Sequence, residues 1–393
     1  MSSAVKLTGM TWNHTRGFLP LVATAQRFSE LHPDVTIEWH KRSLQEFADA
    51  PIERLAERFD LLIIDHPFAG YAATHPTLLA LDELLPEAFL ADQAANSVGA
   101  SHASYALGGH QWALAIDAAT PVSAYRPDLL ERYATQPPAT WDDLLALARR
   151  GLVALPAIPI DSLMSFYMLC IAIGELPFSN ADQVVGPDVG IAALEMLREL
   201  VSLCAPACLE RNPIATYEAL IGGDDLVYCP FAYGYSNYAR TEYTTRPLRF
   251  GGLVRFNGRP LRSTLGGTGL AISAGCRHVR PTLEYAQFVA SPACQRGMYA
   301  VSGGQPGHRG AWLDPALNQA VGNYFLDTLP TLDDAYLRPR YLGYIPFQDH
   351  AGPVVQRYLR AGGDPRATLA EIDELYRNSQ EHKTRRQGDK ETD

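Results

Sequence analysis

Nowhere does this chain hold the roughly 20 consecutive apolar residues that a bilayer-spanning helix needs. An excess of basic residues is missing as well. Lys and Arg number 33 against 43 Asp and Glu, a net charge of −10. A phosphate backbone demands a basic surface, so no nucleic-acid partner is expected. Charge of either sign is sparse at 19%, while 47% of residues are hydrophobic. That balance excludes a disordered chain and describes a well-buried globular one. Cysteines number six. None forms a C-x-x-C pair and no histidine cluster has zinc spacing, so neither a metal nor a cofactor is expected. The close pair Cys204 and Cys208 leaves two readings, a short disulfide loop or two reduced core thiols. Catalytic signatures are absent too: there is no G-x-S-x-G and no activated-cysteine motif. The first ten residues carry one lysine and no apolar run of signal-peptide length. Two readings of location follow: a cytoplasmic protein, or a start that lacks a targeting segment.

What is present points to two domains, because 393 residues exceed what one hydrophobic core usually organises. Residues 5–10 read as extended. Residues 17–31 carry Phe18, Leu21, Val22, Ala25 and Phe28 as a helical stripe ended by His32-Pro33. Residues 35–39 alternate as a strand, 44–58 have a helical pattern with a break at Pro51, and 59–65 form a continuous apolar run typical of a buried parallel strand. Strand, helix, strand, helix, strand implies right-handed crossovers and a parallel sheet, hence an α/β fold. Further strands are expected at 111–117, 225–230, 248–255 and 270–273. Thr140 and Asp143 have capping-box spacing ahead of a helix. Helical patterns follow at 162–173 and 191–203, and another begins near Pro281.

Loops after strands are where open α/β sheets bind ligands. Asp65 and His66 follow the strongest strand, and either face a ligand or shape the turn with Pro67. Asp117 ends another buried strand, and Trp12 follows the first. Gly267 and Thr268 lie in a glycine-rich segment that lacks the Lys and Ser/Thr of a phosphate loop, so close backbone approach to a ligand, or a plain bend, is expected. Tyr233, Tyr235 and Tyr238 belong to a tyrosine-rich run suited to polyols or planar groups, with ordinary core as the other reading. Gln305 sits among glycines, able to donate and accept to a ligand or merely to occupy a surface turn. Arg338 and Arg340 flank Pro339 and either clamp a carboxylate or pair with Asp333 and Asp334.

In order and spacing these segments resemble the extracellular solute-binding proteins, family 1, the binding components of ABC importers for sugars and related solutes. The resemblance runs from Leu7 to about Tyr376. It is carried by residues 7–12, 60–70, 112–117, 266–273 and 303–306, and by Pro138-Ala139-Thr140-Trp141-Asp142-Asp143, similar to the family's P-x-T-W-[DE]-E helix opening. It implies a two-lobe periplasmic-binding-protein-like (type II) fold with a hinge and a ligand cleft between lobes. The first lobe would comprise 1–116 plus about 265–312, the second 117–264 plus about 313–378, with 379–393 a disordered tail. Trp12, Asp65, Tyr235, Gly267 and Gln305 match cleft-facing loops of the family; Arg338 and Arg340 have no such counterpart. The expected protein is a monomeric, non-enzymatic binder of a sugar, polyol or organic acid. Its partners would be transporter membrane subunits, and its location periplasmic by resemblance. An enzyme or cytoplasmic sensor on the same fold is the alternative.

Overall fold

In a computed structural model of the chain, residues 4–43 and 52–388 are described, with side chains through residue 380. Along the chain run β1 (Val5–Trp12), α1 (Thr15–Leu31), β2 (Val35–Arg42), α2 (Ile52–Ala56), β3 (Leu61–Ile64), β4 (Leu114–Ala119) and β5 (Pro121–Tyr125). Then come α3 (Trp141–Arg149), α4 (Pro159–Ile173), α5 (Pro187–Ser202), β6 (Tyr228–Tyr233), β7 (Arg249–Gly251), β8 (Gly266–Ile272) and α6 (Val279–Ala290). Last are α7 (Tyr324–Asp333), α8 (Tyr344–Ala361) and α9 (Pro365–Gly388). The break expected at Pro51, and residues 44–50 of the helix expected there, lie outside the described residues.

The chain forms two compact units. The first comprises Met1–Ala119, Tyr235–Asn237 and Leu265–Asp333; the second comprises Thr120–Gly234, Tyr238–Thr264 and Asp334–Asp393. Several boundaries differ from those expected: residues 117–119 and 235–237 cluster with the first unit. Residues 313–333 do so too, because α7 buries Tyr324 and Phe325 beside Trp312. The tail expected to be disordered is helical as far as Gly388, continuing α9.

The first unit is a five-stranded sheet in the order β2-β1-β3-β8-β4. β1 pairs in parallel with β2 and β3, as continuous apolar strands joined by helices require. β8 is antiparallel to both β3 and β4, so the sheet is mixed. The glycines 266, 267 and 269 therefore lie inside a strand and not in a loop before one. Leu7, Leu61, Ile63, Leu114, Ile116, Leu270 and Ile272 fill one core with Phe28 and Tyr285 from the helices.

The second unit carries a three-stranded antiparallel sheet, β6-β5-β7, and a helical body. Thr140 and Asp143 form the reciprocal capping box at α3, each side chain accepting from the other's backbone N–H. α4 is buried along most of its length, as its nearly unbroken apolar sequence demands, with Leu163, Phe166, Tyr167 and Leu169 in the core. Cys204 and Cys208 are free thiols, and all six cysteines are buried. Among the described residues no helix is long and apolar enough to cross a membrane.

Candidate functional site

The carboxyl ends of β1 and β3 lie on the same side of the first unit's sheet, since the two strands are parallel and adjacent. β1 ends at Trp12. Its indole lies against Gly17 on α1, where a Cβ would stand 2.3 Å away. His14 caps α1 by accepting the Arg16 N–H at Nδ1, 3.0 Å away. Burial, then the neighbouring Arg16 charge, lower the His14 pKa to about 4, so this imidazole is neutral at physiological pH.

Arg16 is the centre of the cluster, and no reading of the sequence singled it out. Its guanidinium makes a two-point ion pair with Asp117 on β4, with Nε donating to Oδ2 at 2.9 Å and Nη2 donating to Oδ1. Both side chains are buried. Burial would lower the arginine's pKa, but the Asp117 charge and hydrogen bonds raise it, so Arg16 stays cationic. Burial pushes the Asp117 carboxyl up, while Arg16 and the Thr268 backbone N–H pull it down. Arg16 lies 4.7 Å from the centre of the Tyr235 ring and 6.0 Å from that of Trp12. His14 meets Tyr235 edge-on at 4.6 Å. A cation framed by aromatic faces and locked to a buried carboxylate is a rigid polar wall.

Gln305 holds this arrangement together. It donates from Nε2 to the Ala118 carbonyl and accepts the Ser236 N–H at Oε1, both at 2.9 Å. Asn237 donates to the Gly303 carbonyl at 3.2 Å. The Gln305 amide is thus engaged with backbone at both ends. Trp12, Asp117, Tyr235, Gly267, Thr268 and Gln305, dispersed over some 300 residues, are brought into one neighbourhood.

The other expected residues have partners of their own. Asp65 accepts the His66 N–H at 2.8 Å and caps a short helical turn, with His66 buried against the same carboxylate at 3.2 Å. In the second unit, Tyr233 is half-buried and its hydroxyl lies 3.0 Å from Thr264 Oγ1. Tyr238 is core: it is fully buried, donates to Glu218 at 2.7 Å and packs against Tyr217. Arg338 is buried and donates to Gln348 at 2.9 Å, and Arg340 is half-buried. Neither acidic neighbour suggested for them serves that purpose. Asp333 pairs with Arg309, and Asp334 with Arg262.

Residues 11–169 match the family described as bacterial extracellular solute-binding protein. Solved structures similar to nearly the whole chain include T. maritima MalE3 with maltose bound, at TM-score 0.80 and 19% identity over 95% of this chain and 99% of that one. A second is an ABC transporter solute-binding protein from Agrobacterium radiobacter K84 in complex with ribitol, at TM-score 0.81 and 18% identity over 96% and 99%. A third is UgpB from Mycobacterium tuberculosis in complex with glycerophosphocholine, at TM-score 0.79 and 16% identity over 96% and 99%. The fold is that of the two-lobe periplasmic-binding-protein type. The family recognised from the motifs is the one that residues 11–169 match.

Proposed function

We propose that this chain, solute-binding by family over residues 11–169 and by fold throughout, is the binding component of an ABC-type importer. It takes up a small polar solute, releases it unchanged, and works outside the cytoplasmic membrane as a monomer beside transporter membrane subunits. The observation that carries this reading is the joint match of family and fold, the latter spanning 95–97% of the chain in similar solved structures. In the family's manner the solute would be held by closure of the two units upon it.

The ligand class is a small polar molecule of the sugar, polyol or organic-acid kind. The similar structures hold maltose, ribitol, α-D-tagatose and glycerophosphocholine, which supports the hydroxyl-rich end of that range. In the first unit, Trp12 and Tyr235, packed around Arg16, are the proposed aromatic contacts to the solute. Asp65, half-exposed at the end of β3, would accept from solute hydroxyls. His66 and Asp117 would position these groups from beneath. In the second unit, Tyr233 and the Arg338–Arg340 segment are the proposed contacts.

A thermal-shift screen of the purified protein against sugars, polyols and small carboxylates tests the reading. A ligand bound only by the folded state adds about 2.7 kcal/mol of stability at a hundredfold excess over Kd. The expected outcome is a rise in Tm with one class and recovery of the ligand unchanged by mass spectrometry. A ligand that is consumed would instead identify an enzyme.

A further inference from the structure

One titratable group of the Arg16 cluster in the first unit belongs neither to the ion pair nor to the proposed solute contacts. His14 stands at the cap of α1 and accepts the Arg16 N–H at Nδ1, 3.0 Å away, so its single proton is on Nε2. Its ring meets Tyr235 edge-on at 4.6 Å, and the Tyr235 ring faces the Arg16 guanidinium at 4.7 Å. The imidazole therefore reaches the wall by two routes. One is the backbone of Arg16; the other is the aromatic ring on which the Arg16 side chain lies. His14 is half-buried, so a proton can reach it from solvent.

We propose that His14 is an acid-sensitive catch on this wall. Neutral, it caps α1 and steadies Arg16 and Tyr235; protonated, it leaves the cap and both loosen. The bearing of the catch on solute uptake rests on the solute-binding reading, in which Tyr235 is a proposed contact. There, acid weakens binding by releasing the wall.

A second proton has to enter at Nδ1, where the ring now accepts. It turns the cap acceptor into a donor aimed at the Arg16 N–H. The charges around the imidazole oppose it. From α1 these are the Arg16 guanidinium and the positive end of the helix, whose first turn holds no acidic residue. From β4 the group beside Arg16 is Asp117, and both of its oxygens already accept from that arginine. Tyr299 and, from α7, Tyr324 face the same ion pair; burial raises both, so they stay neutral. Burial and Arg16 together lower the His14 pKa from 6.5 to about 4. The cap is therefore fully favoured above pH 6.5, and protons favour its release as pH falls towards 4. From pH 7 to pH 4 this linkage shifts the opening equilibrium by on the order of a hundredfold.

The test is hydrogen exchange and histidine NMR on the full chain without solute, wild type against His14→Asn. Asparagine still accepts at a helix cap but does not titrate. In the wild type, protection of the Arg16 amide and of the Arg16 Nε–H is measured relative to the intrinsic rate at each pH. Both should fall by on the order of a hundredfold from pH 7 to pH 4. The fall should track the titration of the histidine signal that the variant lacks, and His14→Asn should keep its protection. Should the variant not fold, coincidence of the His14 and Arg16 midpoints in the wild type decides alone. A His14 midpoint near 6.5 or constant protection in the wild type overturns the catch. So does an equal fall in His14→Asn, which would assign the effect to Asp117. Since no solute enters the experiment, failure of the thermal-shift screen would remove the solute-binding reading and leave the catch standing.

Discussion

Two buried carboxylates illustrate opposite solutions to the same problem of desolvation. Asp117 is held by Arg16 and by the Thr268 N–H, whereas Asp161 has only burial acting on it. Removing the cation from the first should leave an uncompensated buried charge. Arg16→Met is expected to cost about 3–5 kcal/mol in urea unfolding, and the double variant Arg16→Met/Asp117→Leu less than the single one. At Asp161 the folded-state value, about 8, lies above the ordinary 3.8. The folded chain therefore binds the proton more tightly than the unfolded chain. This stabilising contribution is complete below pH 3.8 and is lost as pH rises to about 8. Asp161→Asn removes the dependence. It should be more stable than wild type between pH 5 and 8, by on the order of a few kcal/mol at neutral pH, read as a higher Tm. Parallel Tm–pH profiles for the two proteins would refute this.

At the scale of elements, the strands and helices that hydrophobic periodicity can mark were legible: β1 to β3, α1, α4, α5 and the capping box at α3. The glycine-rich segment was misread, because glycines in sequence suggest a turn whereas here they admit close strand packing. Gly267 has φ +98°, and a Cβ there would stand 2.4 Å from the Asp117 carbonyl. Gly267→Ala should accordingly lower stability by about 1–3 kcal/mol and loosen the β4–β8 ladder beneath Asp117. Gly222→Ala, with open space at its Cβ, is the control and should melt near the wild type. Thermal melts of the pair are sufficient. Gln305 shows a related limit: a glutamine between glycines looks like a surface contact, and only the fold reveals two backbone partners.

At the scale of the whole molecule, three hydrophobic clusters of the described residues each fall within one unit. The one around Leu163 and Phe166 lies in the second, and those around Leu7 and around Leu62 lie in the first. Arg16→Met and Asp161→Asn belong to different units. Their effects on stability, read from denaturation of the double variant, should therefore add within about 0.5 kcal/mol. A larger coupling would mean that the units unfold as one. Most of the architecture was accessible before any coordinates, because periodicity and strand–helix order are local properties that the chain states directly. So were Trp12, Asp117 and Tyr235, as polar or aromatic residues beside strand ends. Arg16 was not, since an arginine in a helical stripe looks solvated until Asp117, 101 positions away, is folded against it. Asp161 was hidden in the same way: its sequence neighbours predict an ordinary helix start. The sequence by itself determined the α/β class, the family that residues 11–169 match, and the strand-end loops. Only the tertiary structure decided which charges are buried, which are paired and which still lack a partner, because burial and pairing are made by contacts distant in the chain.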